Sequence, residues 1–161
     1  MTEHESTRPN VSAEFKDGYR ALAALEAVVV NSGLNHILIE LVKTRSSQIN
    51  GCAYCIDMHT KDARAYGETE QRLYALNGWR ETPFFTEKER AALALTEAIT
   101  LVSETHVPDD VVDEALEWFE PDEYARLVFL IATINIWNRL AITSRSPVGG
   151  YVSRVSAPAR A

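Results

Sequence analysis

Ile49-Asn50-Gly51-Cys52-Ala53-Tyr54-Cys55-Ile56-Asp57-Met58-His59 is the stretch on which the reading of this chain turns. Asn50-Gly51 is a helix stop, because glycine takes the left-handed conformation that closes a helix without a Cβ penalty. Upstream, Leu34, Ile37, Leu38 and Leu41 recur at helical spacing, so a helix from about Leu34 to Ile49 runs into that stop. Downstream, a third helix opens near Cys52 and ends at Tyr66-Gly67. Helices joined by so tight a turn pack as a hairpin, and the two cysteines open its second arm.

Working outward, the apolar spacing stays helical almost everywhere. Ser12 caps a first helix with Phe15, Tyr19, Leu22, Leu25 and Val29 on one face, ending near Asn31-Ser32-Gly33. A short fourth helix covers Glu68 to Leu76. Asn77-Gly78 and Pro83 mark a loop, with Trp79, Phe84 and Phe85 plugging it onto the core. Thr86-Glu87-Lys88-Glu89 is a capping box for a fifth helix reaching about Ser103. Pro108 opens a sixth, and Pro121 a seventh that ends near Arg145. No strand pattern or repeat competes. The expectation is an all-α, single-domain protein of about seven helices over residues 12–146. A flexible N-terminal tail (1–11) precedes it and a basic tail (147–161) follows.

Composition narrows the function classes. The chain has 161 residues, 46% apolar and 24% charged, ordinary values for a globular protein. Two cysteines cannot staple a fold of this size. Sixteen basic against twenty-three acidic side chains give −7, which argues against nucleic-acid binding. The acidic start has no apolar h-region, so no secretory signal is read. The apolar run Leu127 to Trp137 is interrupted by Thr133 and Asn135 and too short to span a bilayer. A cytoplasmic, reducing setting follows, where a C-x-x-C pair is catalytic or metal-binding rather than structural. Residues 104–123 hold nine acidic side chains and no Lys or Arg, read as a solvated face. The last helix is apolar nearly all round, hence central in the fold and shared with another subunit.

The chemistry concentrates at Cys52, Cys55 and His59. At ~100° per residue all three project from one helix face. Residues three apart have Cα atoms ~5 Å apart, which suits a disulfide. His59 stands about 6 Å along the axis from Cys55 and roughly 10 Å from Cys52, so its imidazole reaches only Cys55. These are the parts of dithiol–disulfide redox: a nucleophile, a base and a resolving thiol. Glu40, at the border of the apolar stripe of the second helix, faces His59 across the hairpin, directly or through water, as the third member of a triad. Arg45 and Gln48 fall inside that stripe and need polar partners. Two rival readings stay open. One is inert buried cysteines with a satisfied His59. The other is a zinc site completed by His36 and Glu40. Covalent c-type haem is excluded, since Ile56 rather than His follows Cys55.

Glu40, eleven residues, Cys52-x-x-Cys55, then His59 after three more resembles the carboxymuconolactone decarboxylase superfamily, in its AhpD-like, alkylhydroperoxidase-related branch. The resemblance extends through Met58-His59-Thr60, Trp79-Arg80-Glu81, Glu89-Arg90-Ala91-Ala92-Leu93 and Asn135-Ile136-Trp137-Asn138-Arg139, about Tyr19 to Arg145. It implies an all-α fold in trimers or hexamers. It also implies a peroxide-reducing thiol site without metal or organic cofactor. Carried over, Cys55 is the peroxidatic thiol and Cys52 the resolving thiol and proton donor. His59 and Glu40 are the proton relay. The partners implied are a hydroperoxide and a dithiol reductant, lipoyl or thioredoxin-like. One departure stands out: the best-known peroxidase members carry a histidine between the cysteines, where this chain has Tyr54. The alternatives are a lactone decarboxylase using His59 and Glu40, or a non-catalytic oligomeric metal-binding protein. Two physical effects compete over the thiols. The helix terminus favours Cys52 as the acidic one, while proximity to His59 favours Cys55 as the nucleophile.

Overall fold

The computed structural model describes residues 8–155. Its helices are α1 (Val11–Glu14), α2 (Lys16–Val30), α3 (His36–Asn50), α4 (Ala53–Ala65), α5 (Glu70–Ala75), α6 (Glu87–Thr100), α7 (Val102–Thr105), α8 (Asp109–Trp118) and α9 (Pro121–Ser144). No strand occurs among the described residues. A 3-10 turn, Leu76–Glu81, replaces part of the expected loop and buries Trp79. Two of the seven expected helices are each broken once. Phe15 leaves helical geometry (φ −117°, ψ 72°), so the first becomes α1 and α2. Its ring lies where Gly18 would carry a Cβ, and it stays 68% exposed rather than joining a buried face. Leu101 bends the fifth into α6 and α7.

Asn35 caps α3, accepting from the N–H groups of Ile37 and Leu38 at 2.9 and 3.2 Å. Helix α3 packs on α4, α6 and α9, which makes it the spine of the molecule. One core joins Leu38, Ile39 and Val42 of α3 to Leu95, Phe119, Leu127, Leu130 and Ile131. A second sets Leu41 against Ala63, Leu76, Trp79, Phe85 and Leu93. Arg45 and Gln48, which fall inside the apolar stripe of α3, find partners. Arg45 donates to Glu97 at 2.9 Å, to Gln48 at 3.2 Å and to Asn77 at 2.7 Å. Glu97 also accepts from the Trp79 indole at 2.8 Å and from Arg80.

Helix α9 has 24 residues and is the helix among those described that is long and apolar enough to cross a membrane. The apolar run in the sequence understates it, because its polar residues are inside: Thr133, Asn135 and Asn138 are buried beside Leu130, Ile131 and Ile134. One face belongs to the core, while Phe129, Ile136 and Ile142 stay 42–57% exposed. The acidic stretch lies largely on the outside, with Asp109, Asp110, Asp113, Glu114 and Glu117 of α8 exposed.

Parts of both segments read as tails lie on the helices. Arg8 donates to the Thr143 carbonyl at 3.4 Å, and the Val11 N–H to the Ser144 hydroxyl at 3.3 Å. Tyr151 donates to the Asp62 carboxylate at 2.9 Å and accepts at its carbonyl from Lys61 at 2.9 Å. Residues 1–7 and 156–161 of those segments lie outside the described residues.

Candidate functional site

The α3–α4 corner sets the site. Gly51 adopts φ 70°, ψ 30°, and the N–H of Cys52 bonds back to the Ser47 carbonyl at 2.9 Å, a closed helix end. The chain then re-enters helix at once, with Cys52 as the N-cap of α4. The Cys52 sulfur accepts from the backbone N–H of Cys55 at 3.4 Å. Both cysteines are free thiols, each 1% exposed.

The hairpin brings Glu40 and His59 together directly. His59 Nδ1 and Glu40 Oε2 are 2.8 Å apart, both side chains buried. Cys55, His59 and Glu40 line one cavity of about 490 Å³, together with Tyr54, Met58, Asp62 and Tyr66. Cys52 does not line it. Across the cavity stands a pair the sequence reading missed, Lys43 with Glu26. Lys43 is only 3% exposed, and Glu26 also accepts from the Trp137 indole at 3.2 Å. Tyr19 meets Trp137 edge to face, ring centres 5.6 Å apart, and completes an aromatic wall.

The thiols are unequal, and Cys52 is the more acidic of the two. A hydrogen bond from Cys55 lowers Cys52 from 9.0 to about 7. Burial opposes this, while the Cys55 N–H and Asn138 add to it. The same sulfur–sulfur hydrogen bond pushes Cys55 up, reinforced by burial and by the negative charge on Cys52. Ionisation is therefore favoured at Cys52 and disfavoured at Cys55. Asn138 and Ser47, neither singled out as site residues by sequence, support this arrangement. Asn138 favours the ionised form of both thiols, and Ser47 that of Cys55. Asn138 donates to the Ser47 hydroxyl at 3.0 Å and accepts from Asn50 at 2.8 Å. The signal was present: an asparagine in a helix apolar nearly all round must find a partner inside.

Asp62 faces the Glu40–His59 pair from the next turn of α4. Burial, the Asp62 hydrogen bond and the neighbouring carboxylates hold the Tyr151 hydroxyl in its protonated form. Burial and the charges of Glu40 and Asp62 raise Tyr66 likewise. The rival zinc set of Cys52, Cys55, His36 and Glu40 does not gather. His36 is exposed and stacks on Tyr66 at 4.7 Å, one turn before Glu40. The metal-binding atoms that come within 4.8 Å of one another among the described residues belong to Glu40, His59 and Asp62.

Comparison with known proteins bears on this arrangement. A sequence model described as the carboxymuconolactone decarboxylase family matches residues 15–98. The uncharacterised protein YdfG of Bacillus subtilis is 45% identical over 126 residues, 78% of this chain and 86% of that protein. A crystal structure from Agrobacterium tumefaciens, of a protein of unknown function named as a candidate AhpD antioxidant defence protein, superimposes with a TM-score of 0.87 at 40% identity. The match spans 91% of this chain and all of that one. A peroxidase-related protein with an AhpD core from Ralstonia eutropha shares the fold, with a TM-score of 0.76 at 21% identity over 88% of this chain and 77% of its own. The chain therefore belongs to the carboxymuconolactone decarboxylase family, a family of enzymes, in its AhpD-like branch.

Proposed function

We propose that this protein is a thiol peroxidase that reduces hydroperoxides through a Cys52–Cys55 dithiol. The observation that carries the reading is the cavity lined by both Cys55 and the Glu40-held His59, with the Cys52 sulfur accepting from the Cys55 N–H. At rest the pair holds one proton, and Glu40 stabilises an imidazolium at His59 as a triad carboxylate does. The shared proton crosses to Cys52, leaving the thiolate on the sulfur that faces the cavity. Cys55 attacks the terminal hydroperoxide oxygen. The O–O bond breaks, Cys55 becomes sulfenic acid, and the alkoxide leaves as an alcohol with the proton of His59. Cys52 then attacks the Cys55 sulfur, its proton passes to the departing hydroxide, which leaves as water, and a disulfide remains. An external dithiol, lipoyl or thioredoxin-like, restores both thiols, as a reducing cytoplasm provides.

Peroxide treatment of the reduced protein tests this. Mass spectrometry is expected to show the loss of two hydrogens in the peptide holding both cysteines. Stoichiometric zinc that survives dialysis and blocks the oxidation would overturn the reading in favour of a metal protein. A decarboxylase using His59 and Glu40 is the reading the family name supports. It would show as lactone turnover that persists when both cysteines are replaced.

A further inference from the structure

Tyr54 divides the surroundings of the cysteines into two hollows. Cys55 lines the cavity of His59 and Glu40, whereas Cys52 lines a second recess of about 430 Å³ with Gly51, Ala53, Ile142 and Arg145. Tyr54, Ala141 and Ser146 belong to both and form the partition. The second recess is lined by Arg8 and Arg145 and, among the described residues, by no carboxylate, in a chain whose net charge is −7. The Arg8 contact with the Thr143 carbonyl ties one to the end of α9, and Arg145 is the C-cap of that helix.

We propose that the reductant enters by this second recess, attacks Cys52 and is an anionic thiol. The inference rests on the dithiol reading above and adds to it the side of entry and the class of reductant. A thiolate approaching through the recess attacks the Cys52 sulfur. A new S–S bond forms to the reductant, the Cys52–Cys55 bond breaks, and the electron pair departs on Cys55. That sulfur faces His59, which has regained a proton from solvent and passes it on. A second thiol, or the other sulfur of a dithiol, loses its proton to solvent and attacks the reductant's sulfur. The oxidised reductant leaves and Cys52 returns as thiolate, two electrons having entered. The Arg145 guanidinium raises the local concentration of anionic thiolates, as a positive charge beside a cleft does. A neutral peroxide gains nothing there, so the two substrates do not compete for one mouth. Leaving-group acidity alone favours the opposite attack, on Cys55 with Cys52 expelled. Cys52 is the sulfur that lines the recess, which favours attack there, and the site of the mixed disulfide decides between the two.

The full chain is oxidised with diamide, so that the result does not depend on the oxidant assigned above. It is then treated with mercaptoethanesulfonate, mercaptoethanol or cysteamine, of one carbon skeleton and three charges, and quenched by alkylation. Tandem mass spectrometry is expected to place the thiol adduct on Cys52 and the alkyl group on Cys55. Rates per thiolate should fall in the order anionic, neutral, cationic. In Arg145→Glu the anionic-to-neutral ratio should drop ~3–10-fold at low salt. Adducts on Cys55, or a charge order that Arg145→Glu leaves in place, would overturn the proposal. Failure of diamide to close the disulfide would remove it together with the dithiol reading, whereas peroxide inertness alone bears only on the oxidant.

Discussion

At the residue scale, the pair of thiols behaves as one acid with two places for its charge. The thiolate fraction rises with pH through the lowered value of Cys52, about 7, instead of the ordinary 9.0. Ultraviolet absorbance of the reduced protein should therefore show one thiolate forming near neutrality and the second only in strong alkali. Asn138→Ala removes a stabilising hydrogen bond from both sulfurs, so its first thiolate should form at higher pH. Reactivity need not follow acidity, because Cys52 does not line the peroxide-side cavity. In Cys52→Ser, dimedone is expected to trap sulfenic acid at Cys55 without turnover, while Cys55→Ser should react slowly or not at all. Glu40→Gln should keep the fold and slow the first step by roughly tenfold or more, up to the ~10²–10⁴-fold that general acid–base catalysis contributes. Dimedone labelling at Cys52 in these variants would reverse the two roles. The spacing of Glu40, Cys52, Cys55 and His59 made this quartet legible. Lys43, Glu26, Asp62 and Tyr151 were not, because ion pairs and docked segments join residues far apart in sequence, as Trp137 joins Glu26 across 111 positions.

At the scale of elements, most caps and stops were readable because each is a local device, although Asn10 rather than the expected Ser12 caps the first helix, accepting from the Ser12 N–H. The Thr86–Glu89 box forms as expected, with the Glu89 carboxylate accepting from the Thr86 N–H at 2.8 Å. Asn50-Gly51 ends α3 in the left-handed conformation. A Cβ on Gly51 would meet nothing within 4 Å, so Gly51→Ala should cost about 1–2 kcal/mol of backbone strain alone, seen as a lower Tm. The breaks at Phe15 and Leu101 were hidden, since neither is a Gly or Pro and both sit in periodic sequence. Helix α6 meets α3 and the 3-10 turn through Glu97. Burial alone would raise its carboxyl. The hydrogen bonds from Arg80 and Trp79 and the charge of Arg45 outweigh burial and hold it below the ordinary 4.5. Being lowered, it stabilises the fold fully above that value, and this is lost as pH falls through the native one. Glu97→Gln should cost roughly 1–3 kcal/mol in denaturant unfolding at neutral pH, and the difference from the parent should shrink in acid.

At the scale of the whole molecule, α9 presents Phe129, Ile136 and Ile142 outward, and Val28 of α2 is 69% exposed. Apolar side chains this exposed favour assembly, and a homo-oligomer, trimer or hexamer, is the expected state. Light scattering at micromolar concentration should give a multiple of 18.0 kDa, and a value of 18.0 kDa would refute assembly. Phe129→Asp should shift that mass downward if this face is the contact. The tryptophans give the molecule an optical consequence. Trp137 stands in the cavity wall, its indole tied to Glu26 and edge-on to Tyr19. Trp79 is enclosed under Arg80 and Arg90, and Trp118 is 44% exposed on α8. Of the three, only Trp137 lines the cavity, so a hydroperoxide entering it should alter emission with no label attached. Trp137→Phe should silence that change while the background glow of Trp79 and Trp118 persists, so the protein reports its own occupancy by its fluorescence.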